Sequence, residues 1–257
     1  MSKPLAEMST LSAHYDGFTA LDAIDLTLPE QKIIAFCGPN GSGKSTALKV
    51  LRALHAPSGG EAEVAGQALD DWTPRALARE IAMLSQSPDA PEDMTVFDLA
   101  MLGRYSRRSR FSGPSAEDRR AVENALATTG MEALAGRSIG QLSGGQVQRA
   151  WIAMTLAQDA PRIFLDEPTN HLDIHHQIEI LHTVRQLDLT SIVALHDLNL
   201  AAMFCDRIIV LKDGAVVASG APETVLTEEM IGSVFRVSAA VSASPYHGRP
   251  QIHFRSC

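Results

Sequence analysis

Residues 38–46 read GPNGSGKST, that is Gly38, Pro39, Asn40, Gly41, Ser42, Gly43, Lys44, Ser45 and Thr46. The spacing is G-x-x-x-x-G-K-[ST], and its setting counts as much as its letters. The run Lys32–Cys37 before it predicts a buried strand. Lys44–Leu54 after it predicts a helix with Ala47, Leu48, Leu51 and Leu54 on one face. In such a strand–loop–helix unit the glycines let backbone N–H groups turn inward, and the helix N-terminus adds the positive end of its dipole. Phosphate oxygens fit there. Lys44 reaches the β- and γ-phosphates of a bound nucleotide, and the Ser45 hydroxyl suits Mg²⁺. Residue frequencies put a chance match in a chain this long on the order of 1%, so a Gly-rich turn without a ligand is the weaker reading.

Two further short apolar runs, Arg162–Leu165 and Ser191–Leu195, read as strands covered on both faces. Ile174–Leu187 reads as a helix with Ile174, Ile178, Leu181 and Val184 on one side. Strands alternating with helices imply an α/β fold built on a mainly parallel sheet. Between about 88 and 160 the pattern changes. A Pro-rich turn (SPDAPEDM) leads into mostly helical sequence, with Ser115 and Asp118 placed as a capping box for Glu117–Thr128. This stretch is expected to be a helical subdomain inserted into the α/β core. Near the C-terminus, IIVL and VVAS flank Asp213-Gly214, a two-residue hairpin signal, so an antiparallel β part is expected too. Residues from about 236 to 257 carry no regular pattern and are expected to form an irregular tail.

RIFLDE (Arg162–Glu167) places two adjacent carboxylates at a strand end. Beside a phosphate loop, Asp166 suits Mg²⁺ and Glu167 suits polarising an attacking water. Composition narrows the partners. The chain has 257 residues, 45% hydrophobic, with 22 basic and 30 acidic residues for a net charge of −8. A broad nucleic-acid footprint does not fit that balance. The three cysteines, Cys37, Cys205 and Cys257, have no metal or disulfide spacing and point to a reducing compartment. MSKPLAEMST lacks the apolar core of a signal peptide, and no apolar run reaches the ~18 residues of a membrane span.

QLSGGQVQR (Gln141–Arg149) places Ser143, Gly144, Gly145 and Gln146 just before the helical run Val147–Ala157. A hydroxyl and exposed N–H groups at a helix N-terminus make a second phosphate-binding surface. Residue frequencies put LSGGQ at about 1 in 1,000 by chance. Here the chain resembles the nucleotide-binding domains of ABC transporters over nearly its whole length, as a single domain spanning 1–257. Its fold class is then a P-loop NTPase core with a mainly parallel sheet, an antiparallel β part and an inserted helical subdomain. The resemblance implies roles for single residues. Tyr15 stacks on adenine, and Gln86 touches Mg²⁺ or the water. Asn170–Asp173 lies where subunits meet, and His196 contacts the γ-phosphate. His175 and His176 have no family role and are expected to be solvated.

The family pattern implies an ATPase working as a head-to-tail pair, each ATP held between the phosphate loop of one copy and LSGGQ of the other. Separate transmembrane permease subunits would be partners, with a substrate-binding protein, and the chain would lie peripherally on the cytoplasmic face of the inner membrane. MTVFDLAMLGRY (Met94–Tyr105) and HLDIHHQIEIL (His171–Leu181) resemble the importer group for iron–siderophore, haem and vitamin B12, the HLDI form pointing to ferric siderophore. Haem or cobalamin import is the alternative. A non-transport soluble ABC ATPase, such as an iron–sulfur assembly factor, is a second alternative, and LSGGQ with the Gln86 and His196 positions disfavours a P-loop kinase or other small-molecule enzyme. Gln86–Arg107 is expected to receive the permease, with Arg104, Tyr105 and Arg107 in contact.

Overall fold

The computed structural model describes residues 3–15, 17–30, 33–85, 91–108, 113–187 and 189–255. The chain opens with β1 (Ala6–Tyr15) and β2 (Phe18–Leu28), then β3 (Ile33–Cys37) and α1 (Lys44–Leu51), followed by β4 (Gly59–Val64) and β5 (Gln67–Ala68). There follow α2 (Pro74–Glu80), β6 (Ile81–Leu84), α3 (Val96–Leu102), α4 (Ala116–Thr128), α5 (Gly144–Ala157), β7 (Arg162–Asp166) and α6 (Ile174–Gln186). The last part holds β8 (Thr190–Ala194), α7 (Leu198–Phe204), β9 (Arg207–Lys212), β10 (Ala215–Gly220), α8 (Pro222–Val225), α9 (Glu228–Phe235), β11 (Ala239–Ala243) and β12 (Pro250–Phe254). Two units result: Met1–Trp72 with Thr190–Cys257, and Thr73–Leu189.

In the first unit an antiparallel sheet runs β2-β1-β4-β5. A second layer runs β10-β9-β3-β8, with β3 parallel to both β8 and β9 and only β10 antiparallel. All five residues of β3 are buried, as are Ile208–Leu211 of β9, which is why these strands read as unbroken apolar runs. The hairpin forms at Asp213-Gly214, both in the left-handed region (φ 48° and 79°), as a type I′ turn requires. In the second unit β6 and β7 pair in parallel, and α3, α4 and α5 pack on one another. The fold is thus α/β with mostly parallel and separate antiparallel pairing, plus helices.

Four expectations change. Helix α1 stops at Leu51, because Ala53 turns left-handed (φ 53°) and the Leu54 and His55 N–H groups bond back to the Lys49 carbonyl; Leu54 is left exposed. The buried stripe of α6 is Ile180, Leu181 and Val184, whereas Ile174 is 60% exposed. Periodicity locates a stripe but does not fix where along the helix its cover begins. Over the described residues 236–255 the expected irregular tail is ordered: β11 and β12 pair antiparallel, and Asn199 of α7 binds the Ile252 backbone at both ends, accepting its N–H at 2.7 Å and donating to its carbonyl at 3.2 Å. That anchor lies 53 residues away in sequence, and AAVSA carries little strand propensity of its own.

The fourth concerns Arg104, which is 1% exposed and cannot meet a partner. Its Nε donates to Asp118 Oδ1 at 2.9 Å and its Nη1 to the Ala157 carbonyl at 3.0 Å, the last of α5. Arg107 Nε caps the next carbonyl, Gln158 O, at 2.9 Å. Gly103 permits this approach, since a Cβ there would lie 2.0 Å from the Met154 carbonyl. The LGRY segment is therefore a structural clasp on the C-terminal end of α5. Tyr105 remains outside it, 82% exposed. Burial alone would raise the Asp118 pKa, but Arg104 and the Ser115 amide and hydroxyl hold it down at about 2.

Candidate functional site

The phosphate loop leaves the carboxyl end of β3, between β8 and β9, where open α/β sheets place ligands. Two of its glycines are set by close approach. A Cβ on Gly38 would fall 2.1 Å from the Leu211 carbonyl, and one on Gly43 would fall 2.5 Å from the Ala20 carbonyl. Gly43, at φ 103°, is the N-cap of α1 and supplies no side-chain cap, so the positive end of the helix dipole faces the loop without a capping side chain. Ser42 Oγ is buried and makes no protein hydrogen bond, a further donor suited to phosphate. Lys44 is buried and its Nζ donates to the Gly38 and Pro39 carbonyls at 2.9 and 3.1 Å. The ammonium is thus folded back onto the first two carbonyls of the loop, with Asn40 and Gly41 following them in sequence. Ser45 and Thr46 follow in the first turn.

His196 lies exposed in the loop after β8, one residue beyond Leu195, whose N–H bonds to the Phe36 carbonyl at 2.9 Å. That pairing brings His196 to the same strand ends as the phosphate loop. Between them Cys37 is buried and its thiol is pushed up to about 12; burial is the main cause, with Lys44 opposing it and the Asp197 carboxylate adding to it. Cys37 is a packing residue. Tyr15, 39% exposed, stacks on His55 with ring centroids 4.1 Å apart and planes at 21°. Sequence reading missed His55; only its place just after the loop helix could have pointed to it.

The second unit carries the other groups. Asp166 ends β7 with a buried carboxylate. Glu167 follows in the left-handed region (φ 54°), a strained setting for a non-glycine residue. Its Oε2 accepts from Asn170 Nδ2, and its carbonyl accepts the Asn170 N–H at 3.2 Å. At the start of α5, Ser143 Oγ accepts the Gln146 N–H at 3.4 Å and Gln146 Oε1 accepts the Ser143 N–H at 3.0 Å. This capping box turns Gln146 inward as a cap. The N–H groups of Gly144 and Gly145 are then those without an intrahelical acceptor. His175 is solvated as expected, but His176 is only part-exposed: its ring lies against Gly145. The Asp173–His176 spacing, that of an N-cap and N3, was the available signal. Gln86 and Cys257 lie outside the described residues.

A glycine-clamped loop opening a helix at the end of a parallel strand defines a P-loop nucleotide-binding protein. The profile of the ABC transporter family matches residues 21–170. The probable siderophore transport system ATP-binding protein YusV of Bacillus subtilis is 43% identical over 94% of this chain and 89% of its own. The petrobactin import ATP-binding protein FpuD of Bacillus anthracis is 42% identical over 97% and 93%. A chain of the inward-facing structure described as a metal-chelate type ABC transporter superposes with a TM-score of 0.84 at 25% identity, over 98% and 97% of the two chains. The protein belongs to the ABC transporter family, and it is an ATP-binding subunit that couples ATP hydrolysis to transport. ATP-binding subunits of importers in this family work as dimers with transmembrane permease partners.

Proposed function

We propose that this subunit drives import of a ferric siderophore, lying on the cytoplasmic face of the membrane with a substrate-binding protein delivering the cargo. Among the described residues no helix is long and apolar enough to cross a membrane. The observation that carries the reading is a chain-long similarity to importer ATPases named for siderophores, with a second helix N-terminus of phosphate-binding character at Ser143.

The residues divide the work as follows. The loop Gly38–Thr46 holds the triphosphate, with Lys44 released from its carbonyls to the β- and γ-phosphates. Tyr15 presents a ring face to adenine. Ser45 and Asp166 carry a hydroxyl and a carboxylate, hard oxygen donors of the kind that suit Mg²⁺, and the family resemblance gives Gln86 a role toward the same ion. When bound, that ion neutralises phosphate charge. Glu167 accepts the proton of the attacking water, and His196 donates to the γ-phosphate. Ser143, Gly144 and Gly145 of a second copy close on the same nucleotide, excluding water and strengthening each contact. With Arg104 and Arg107 clasping α5, Leu102 and Tyr105 become the exposed apolar residues of the permease-facing segment.

The test is reconstitution with the co-purifying permease in vesicles, followed by ATP-dependent uptake of labelled ferric siderophore, haem and cobalamin. Siderophore uptake is expected. Uptake of only haem or cobalamin would move the cargo assignment, and absence of any membrane partner would favour iron–sulfur assembly.

A further inference from the structure

Helix α6 starts beside helix α5, and one side chain fixes how they meet. Asp173 caps α6: its Oδ1 accepts the His176 N–H at 3.0 Å and lies 2.9 Å from His176 Nδ1. The two contacts hold the imidazole in one orientation, and they also hold the Asp173 carboxyl below its ordinary pKa, the His176 amide contributing most. So held, the ring lies on α5. A Cβ on Gly145 would meet His176 Cδ2 at 2.7 Å, Cγ at 2.9 Å and Nε2 at 3.0 Å. Gly145 sits in the first turn of a regular helix and outside the left-handed region, so it is space and not backbone conformation that bars a side chain there. One turn further along both helices, Arg149 Nη1 donates to Glu179 Oε2 at 3.0 Å, and His175 Nε2 lies 3.9 Å from the same oxygen. Positions 145 and 149 on α5 thus face 176 and 179 on α6, the spacings at which helix neighbours share a face. The segment leading into α6 is tied in turn to Glu167 through Asn170.

We propose that His176 is a positioning residue: its ring sets the register of the Ser143–Gln146 helix start against the segment that carries Glu167, and so presets the surface offered to the nucleotide of a second copy. The inference rests on the reading that Ser143–Gly145 meets that nucleotide. Neither the phosphate loop nor Tyr15 is involved, so nucleotide binding by a single copy is independent of this brace.

The experiment uses the full chain in a Glu167→Gln background, in which the ATP-bound pair is expected to persist. Size-exclusion chromatography gives the protein concentration for half-association with saturating Mg-ATP, and a fluorescent ATP analogue gives the single-copy affinity. His176→Ala should raise the half-association concentration by about tenfold, the scale of coupling between contacting residues. Single-copy affinity and melting temperature should stay at the parent values. His176→Phe, which refills the ring volume, should restore association to near the parent. Gly145→Ala should be relieved when combined with His176→Ala, since methyl and ring contend for one volume. Association of His176→Ala at the parent concentration, with Ser143→Glu blocked, would overturn the proposal and leave standing the reading that Ser143–Gly145 meets the nucleotide. If Ser143→Glu also associates normally, that reading falls and the proposal falls with it. A His176→Ala loss of single-copy ATP affinity or of melting temperature matching the association loss would make the residue a general structural one and likewise overturn the proposal.

Discussion

Two glycine-rich turns each feed a helix, one into α1 and the other into α5, and they finish those helices by opposite means. Gly43 caps α1 without a side chain, in a left-handed conformation, pressed against the Ala20 carbonyl. Ser143 caps α5 with a reciprocal box to Gln146, and Ser143 itself is exposed. The first start has no side-chain cap and turns the positive end of its helix into a formed cradle, with Lys44 already buried over it. The second satisfies itself and adds only a hydroxyl and two N–H groups to something held elsewhere. On the proposed reading, a cradle binds alone, whereas a closed cap on an exposed end binds a phosphate that another copy presents. That difference would be the physical basis for a paired ATPase.

The largest effect expected comes from stopping hydrolysis while both helix starts remain intact. Glu167→Gln keeps the shape and removes the base, so turnover should fall by about 10²–10⁴-fold. ATP binding should survive, and the ATP-bound pair should accumulate on a sizing column. Hydrolysis within a few-fold of the natural protein would place the base elsewhere, with His196 next to test.

The far end of α5 gives the second comparison. Its terminal carbonyl is capped by a guanidinium that is itself paired with a buried carboxylate. Arg104→Ala leaves Asp118 buried without that partner and should cost about 3–5 kcal/mol in denaturant unfolding. The pH dependence has a definite sign. The folded Asp118 pKa, about 2, lies below its ordinary 3.8, so its contribution is complete above 3.8 and is lost as pH falls through 2. The acid limb of the stability curve should flatten in the variant. An Arg104 variant of unchanged stability that assembles poorly with the permease would return this residue to a docking role.

Much of this was legible in the letters because the deciding contacts are local. The strand, loop and helix around Gly38–Thr46, the Ser115–Asp118 box, the Asp213-Gly214 turn and the helix after LSGGQ each depend on residues within a few positions. What escaped depends on distant partners. Arg104 reads as a surface cation until Asp118 and Ala157 come into place around it. Ile174 has the right period for a core yet lies beyond the cover of the neighbouring elements. β12 is held by Asn199, and the reason for glycine at 145 is a histidine 31 positions on, a relation no spacing rule encodes. At the site, every proposed residue type was visible, while the braces behind them, His55 and His176, were not.

The smallest effect sharpens the comparison of the two caps most directly. Ser143→Ala removes one acceptor, and the bond it loses is long at 3.4 Å, while the reciprocal bond from the Ser143 N–H to Gln146 survives. The cost should be about 1 kcal/mol or less in unfolding, with single-copy ATP affinity unchanged. Gly43→Ala is its counterpart at α1. There a methyl must enter a left-handed backbone site 2.5 Å from the Ala20 carbonyl, which should cost about 1–3 kcal/mol in strain. Because the strained atoms form the cradle, that loss should appear in ATP affinity as well as in melting temperature. Calorimetric titration of both variants with ATP decides the matter. Equal losses of ATP affinity would mean that the start of α5 already touches nucleotide in a single copy, and the division between cradle and cap would have to be given up.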